Sequence, residues 1–135
     1  MAIVLLVEDD DQVRIVVESY LEELGHTVLS ASTPKEALVL FKTIPRIDSL
    51  FTDIDLAGDR EAGLNLTRAA VERWPNRRVL YTSGRGVNDG MKVRFVKGSA
   101  YLQKPYTVDQ LRTALREHFQ IEPKQHRPID LAFIR

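Results

Sequence analysis

The sequence predicts an α/β fold: a doubly wound parallel sheet of five strands with five helices. Three observations lead there. Five short apolar runs alternate along the chain with five stretches of helical periodicity. Apolar residues make up 44% of the 135, enough to fill one domain core and little more. No apolar run approaches membrane-spanning length, and no repeat or low-complexity segment breaks the alternation.

Each element has its own local reason. Residues 3–7, Ile-Val-Leu-Leu-Val, are a continuous apolar run of the kind buried on both faces of a sheet. After the acidic cluster Glu8 to Asp11, the residues Val13, Val16, Val17, Tyr20, Leu21 and Leu24 fall on one helical stripe, which Gly25 is placed to end. His26 to Ala31 reads as the second strand. Thr33-Pro34-Lys35-Glu36 sets an N-cap hydroxyl, a first-turn proline and a capping-box glutamate in order. That helix turns Ala37, Leu40, Phe41 and Ile44 inward and stops at Pro45. Ser49 to Thr52 is the third strand, delivering Asp53 at its end. Gly63, Thr67, Ala70, Val71 and Trp74 mark the third helix, closed by Pro75.

Arg78 to Thr82 is the fourth strand, followed by Ser83-Gly84-Arg85-Gly86. A fourth helix is expected over residues 88–95, weakened by Gly90 inside it. Ala100 to Gln103 is the fifth strand. Thr107-Val108-Asp109-Gln110 is a second capping-box pattern, opening a helix with Leu111, Ala114, Leu115 and His118 on one face. Trp74 and Phe95 read as packing, and His118 as a packed imidazole with a satisfied nitrogen. His26, His118 and His126 are too scattered to build a metal site. Residues 120–135 continue no pattern, so the domain is expected over residues 1–119, with 120–135 an extension and not a second domain.

Composition narrows the function. Nineteen basic and nineteen acidic residues leave no net charge, which removes the electrostatic reason to expect nucleic acid or an acidic membrane as partner. The absence of cysteine excludes disulfide scaffolds, thiolate metal sites and thiol nucleophiles. With no export signal visible, a cytoplasmic setting is expected.

Alternating strands and helices imply right-handed crossovers, which place every strand's carboxyl end on one edge of the sheet. Ligands bind at that edge in such folds. The first strand delivers Glu8 and Asp9 there, the third Asp53, the fourth Thr82 and Ser83, the fifth Lys104. Three carboxylates sharing a cleft repel one another unless a cation sits among them, and hard oxygen ligands suit Mg²⁺ or a similar ion. A lysine and a hydroxyl facing the same point complete a pocket for a tetrahedral dianion. Taken singly, each of these residues has a plainer use: an aspartate before a helix caps it, and Thr-Ser-Gly after a strand turns the chain. Their joint placement on one edge is the signal.

Four segments now make a resemblance: Val7-Glu8-Asp9-Asp10, Thr52-Asp53-Ile54-Asp55-Leu56, Tyr81-Thr82-Ser83-Gly84 and Tyr101-Leu102-Gln103-Lys104-Pro105-Tyr106. In that order, and over residues 3–119, the chain resembles the receiver domain of two-component response regulators. The resemblance implies a flavodoxin-like sheet of order 2-1-3-4-5 and a phosphorelay switch. It implies that Asp53 takes a phosphoryl group from the phosphohistidine of a sensor histidine kinase or histidine phosphotransfer protein. Glu8, Asp9, Asp53 and the backbone carbonyl of Asp55 would hold Mg²⁺ or Mn²⁺. Lys104, Thr82 and Ser83 would meet the phosphoryl oxygens, and Thr82 with Tyr101 would form the switch. Three features depart from the family pattern: Glu8 replaces the commoner aspartate, Ala57 stands where proline is frequent, and the loop from Asp55 to Gly63 reads as slightly long. The resemblance also implies that Asp55 affects the lifetime of the acyl phosphate.

Two readings from other classes stay beside this one. Asp53-Ile54-Asp55 also resembles the nucleophile motif of haloacid-dehalogenase-type phosphohydrolases, although there the nucleophile follows the first strand and the acidic pair comes later. A pseudo-receiver would bind partners without phosphorylation, but usually lacks one of the residues kept here. The chain is too short to hold an output domain after residue 119, so a downstream protein is expected to meet the face of the fourth helix, fifth strand and fifth helix. Ile129, Leu131, Phe133 and Ile134 are candidates to dock on the domain or on a second subunit, leaving a homodimer open. Met1 close to the first strand favours a natural start over a fragment of a hybrid kinase.

Overall fold

In the computed structural model, which describes residues 2–119, the strands β1 (Ile3–Val7), β2 (Thr27–Ala31), β3 (Ser49–Asp53), β4 (Arg78–Ser83) and β5 (Ala100–Gln103) form one parallel sheet of order β2-β1-β3-β4-β5. The helices are α1 (Asp11–Glu23), α2 (Pro34–Thr43), α3 (Ala62–Arg73), α4 (Asp89–Lys92) and α5 (Val108–Phe119). The expectations for residues 120–135 lie outside the described residues.

Side chains alternate across the pleat and split the core in two. Leu5 and Val7 of β1 join Ala37 and Phe41 of α2 and Leu64, Leu66 and Ala70 of α3 on one face. Val4 and Leu6 join Val17 and Leu21 of α1 and Leu111, Leu115 and Phe119 of α5 on the other. β1 and β3, in the middle, are buried almost throughout, as a parallel sheet covered by helices on both sides requires. The order reverses between β1 and β3, so Glu8 and Asp53 leave neighbouring strands at the switch point.

Helix ends follow the sequence signals closely. Asp10 caps α1, its carboxylate accepting from the N–H groups of Gln12 and Val13. Gly25 takes φ 91°, its N–H donating to the Glu22 carbonyl while His26 N–H donates to that of Leu21, the bonding of a Schellman end. Thr107 and Gln110 exchange both capping-box bonds, at 3.0 and 2.8 Å. At α2 the box is displaced by one residue. Thr33 Oγ1 accepts from Glu36 N–H, but the Glu36 carboxylate reaches back to the N–H and hydroxyl of Ser32. A cap of this kind contributes about 1 kcal/mol.

Three expectations need correction. α4 covers four residues, not the eight from 88 to 95. Asn88 caps it, but from Arg94 onward the backbone bonds shorten to three-residue spacing, Arg94 to Met91 and Phe95 to Lys92. Met91 is the one buried residue the helix turns inward, and Val93 beyond it is 83% exposed, so packing does not extend the weak local propensity. Val16 lies outside the α1 stripe at 44% exposure. β2 begins at Thr27, because His26 N–H is taken by the helix end. Trp74 and Phe95 pack as expected, Trp74 edge-on to Phe41 at 4.8 Å and Phe95 stacked on Tyr81 at 4.3 Å. His118 sits 2.8 Å from the Val79 carbonyl through Nε2.

Gly63 is fixed by close approach. A Cβ there would lie 2.0 Å from the carbonyl oxygen of Asp53, so α3 can rest on the end of β3 only with hydrogen at this position. The Gly63 N–H donates to the Ile54 carbonyl at 2.9 Å, holding the contact. Gly63→Ala is therefore expected to lower stability by about 3 kcal/mol. Urea unfolding would measure it, and a loss within error of zero would refute this account of the α3–β3 contact.

Candidate functional site

The acidic cluster after β1 divides into separate tasks. Asp10 is the helix cap and Asp11 pairs with Arg14 at 2.6 Å. Glu8 and Asp9 are left for the carboxyl edge. Glu8 is 2% exposed and is held at both oxygens, by Lys104 Nζ at 2.8 Å and by the Asp10 N–H at 3.0 Å. Asp9 is exposed and accepts from the Ala57 N–H at 3.3 Å. Asp53, 2% exposed, ends β3 opposite Thr82 of β4. Glu8, Asp9 and Asp53 each offer a carboxylate oxygen, and these lie within 4.8 Å of one another. Three strand ends thus meet here: β1 through Glu8 and Asp9, β3 through Asp53, and β5 through Lys104.

Lys104 Nζ lies 3.0 Å from Asp53 Oδ1 as an ion pair, and Asp53 Oδ2 has no hydrogen-bond partner among the described residues. The Thr82 hydroxyl is also buried without a partner. Buried polar atoms are rarely left so, which marks a place where another polar group belongs. Burial pushes the Asp53 carboxyl up to about 8, the neighbouring Glu8 adds to the rise, and Lys104 offsets part of it. Burial alone would lower the Lys104 ammonium, but Glu8 and Asp53 outweigh it and hold it above the usual lysine range.

The donor set fits a hard divalent cation. It is all oxygen, two carboxylates are buried, and the Asp53 oxygens have unused acceptor capacity. Asp55, whose backbone carbonyl is the expected ligand, directs its side chain to Arg85. Arg85 Nε lies 3.1 and 2.9 Å from its two oxygens. Ser83 likewise leaves the cluster: its hydroxyl lies 3.0 Å from the Arg85 carbonyl and 3.4 Å from Asp55 Oδ2. Thr82 and Ser83 are adjacent in a strand and point to opposite sides, so only one of them can face Asp53.

Tyr101 is half-buried, its ring 6.2 Å from that of Phe95, and its hydroxyl lies 3.2 Å from the Arg85 carbonyl and 2.8 Å from Gln103 Oε1. It therefore touches the loop that follows Thr82. After Asp55 the chain makes a tight turn. Leu56 and Asp59 bond to each other across a turn in which Ala57 takes φ 52° and Gly58 φ 84°. Proline cannot take the φ of Ala57, which accounts for its absence there.

Sequence reasoning missed two residues. Arg85 stood in the quoted loop without a role, because nothing local links it to Asp55, thirty residues earlier. Tyr106 was read only as part of a motif; its hydroxyl is buried and unpartnered, and burial together with Glu8 pushes it up to about 12.

With this geometry established, similarity to known proteins becomes informative. The sequence matches the response regulator receiver domain family over residues 4–116. The chain belongs to that family. This receiver domain is 27% identical over 130 residues to an NtrX-like response regulator of Rickettsia bellii, a match covering 95% of this chain. The chain spans 27% of the length of that curated relative. A receiver protein from Sinorhizobium medicae superposes with a TM-score of 0.77 at 29% identity, covering 89% of this chain and 95% of that one. The receiver domain of the hybrid histidine kinase CckA gives 0.68 at 28%, covering 87% and 99%. The order 2-1-3-4-5 and the five helices are those of this fold. Among the described residues, no helix is long and apolar enough to cross a membrane.

The burial of Asp53 has a measurable consequence in metal-free protein. Its proton is held more tightly in the folded chain than at the ordinary aspartate value of 3.8, so the associated stability is complete below about pH 4 and lost as pH rises through about 8. Asp53→Asn, which cannot ionise, is expected to melt above the parent at pH 8 in chelator, with the gap closing by about pH 4. Thermal scans across that range test it; a gap independent of pH would disprove it.

Proposed function

We propose that this receiver domain is a phosphoacceptor switch in a two-component phosphorelay, with Asp53 the acceptor. The observation that carries the proposal is the state of Asp53: a buried carboxylate with one oxygen 3.0 Å from an ammonium and the other without a partner among the described residues. The ionised Asp53 carboxylate attacks the phosphorus of a phosphohistidine whose other ring nitrogen carries a proton. The P–N bond breaks, its electron pair returns to the ring nitrogen, the imidazole leaves neutral, and Asp53 becomes an acyl phosphate. Burial helps by raising the basicity of the nucleophile and excluding competing water. The Lys104 ammonium sits where it can neutralise charge on the transferring group. Glu8 fixes that ammonium in place and Asp10 N–H fixes Glu8, so the charge needs no rearrangement during reaction.

Glu8, Asp9, Asp53 and the Asp55 carbonyl are the residues to hold Mg²⁺ or Mn²⁺. When bound, such an ion supplies the neutralisation that lets an anionic nucleophile meet an anionic phosphoryl group. The unpartnered Thr82 hydroxyl is the group available to a phosphoryl oxygen, and Ser83 contributes by shaping the turn that follows. Drawing Thr82 toward the phosphate would disturb the loop under the Tyr101 hydroxyl and so the face made by α4, β5 and α5. Val93 and Val108, at 83% and 46% exposure, give that face apolar contacts for a protein target. The phosphoryl source is a sensor histidine kinase or histidine phosphotransfer protein.

Incubation with Mg²⁺ and acetyl phosphate, read by intact mass, tests the reading. The parent is expected to gain one phosphoryl group, Asp53→Asn none, and chelator to abolish the gain. Lys104→Ala is expected to label more slowly by at least about tenfold. Undiminished labelling of Asp53→Asn would overturn the assignment.

A further inference from the structure

A second charged assembly borders the acceptor site, and neither the phosphoryl chemistry nor the metal set uses it. Arg85 Nε meets both oxygens of Asp55, its Nη2 donates to the Arg60 carbonyl at 2.8 Å, and its Nη1 lies 3.4 Å from Met91 Sδ. One guanidinium thus ties together the loop after β3, the loop after β4 and α4. Its side chain is 31% exposed and that of Asp55 35%, so the pair sits at the rim and not in the interior. A half-exposed ion pair contributes little to folding stability. Its local effect on charge is larger. Asp55 follows the acceptor by two residues, and a bare carboxylate there would repel any donor that carries an anionic phosphoryl group. Only a forked side chain can neutralise Asp55 while also reaching a carbonyl and a thioether on other elements.

We infer that Arg85 is a positioning residue for phosphoryl transfer: it neutralises Asp55 and pins that carboxylate at the side of the entrance, so that an anionic phosphodonor reaches Asp53 unopposed. This rests on Asp53 being the acceptor. The role is electrostatic and acts through Asp55, which separates it from a direct contact between Arg85 and the phosphate. In the first case removing Asp55 removes the need for Arg85; in the second it does not.

The test is the initial rate of labelling by acetyl phosphate in Mg²⁺, at low and high salt, with thermal melts of each variant. Arg85→Gln is expected to label about tenfold more slowly than the parent at low salt. High salt should narrow that gap, because screening weakens repulsion from Asp55. The double variant Arg85→Gln with Asp55→Asn is expected to recover most of the lost rate. Should Arg85→Gln fail to fold, Arg85→Lys keeps the cation and is expected to label within about twofold of the parent at low salt; a tenfold loss in that variant would count against neutralisation. A parental rate in Arg85→Gln, a gap unmoved by salt, or a double variant as slow as the single would each overturn the inference while leaving Asp53 the acceptor. A parent that takes no label would instead bring down the acceptor reading and this inference with it.

Discussion

Two buried carboxylates share one ammonium at the carboxyl edge of this sheet, and the remainder of the site is arranged around that imbalance. Glu8 and Asp53 come from neighbouring central strands and are almost fully shielded from water. Lys104, from the far edge strand, lies within 3.0 Å of both. Burial first, and then a second carboxylate that one ammonium cannot offset, hold the Asp53 carboxyl well above the ordinary carboxylate range. The same imbalance suits the cluster to a divalent cation and, in the proposed acyl phosphate of Asp53, to a dianion beside the ammonium. A site of this kind trades stability for function, as strained functional sites generally do.

The scaffold tolerates the imbalance because its neighbours are rigid. α3 is pressed onto the end of β3 so closely that only glycine fits at position 63, which leaves the Asp53 backbone little freedom. Glu8 is oriented by the first turn of α1. The four-residue α4 is joined to its surroundings by the polar reach of Arg85 and Arg94 more than by buried apolar surface. A segment held by side-chain hydrogen bonds and few packed residues has a low opening free energy. It lies between Thr82 and Tyr101, which suits it to move in response to the site.

Legibility in the sequence followed the range of the interactions. Thr107 with Gln110 and Gly25 with the end of α1 are decided within a few residues, and the structure reproduces them. The α2 capping box slipped by one position because Ser32 offered Glu36 a donor beside the expected one. α4 was overestimated because its length depends on what it packs against, and only Met91 finds a buried place. The carboxyl-edge residues were legible because a parallel sheet sends every strand end to the same side. Their individual roles were not: Glu8, Asp9, Asp10 and Asp11 are chemically alike, and only the fold gives them different partners.

The sequence by itself determined the alternation of strands and helices, the edge on which chemistry would gather, and the identity of Asp53, Lys104 and Thr82 as its members. These follow from periodicity and from the handedness of crossovers, which are local or nearly so. The tertiary structure decided that the side chains of Ser83 and Asp55 turn away from the cluster, that Arg85 holds Asp55 at the rim, and that Tyr101 rests on the same loop. Those outcomes depend on contacts between residues thirty or fewer positions apart on separate strands. Side-chain direction across such a gap is set by pleat and packing, and neither is written in any single segment.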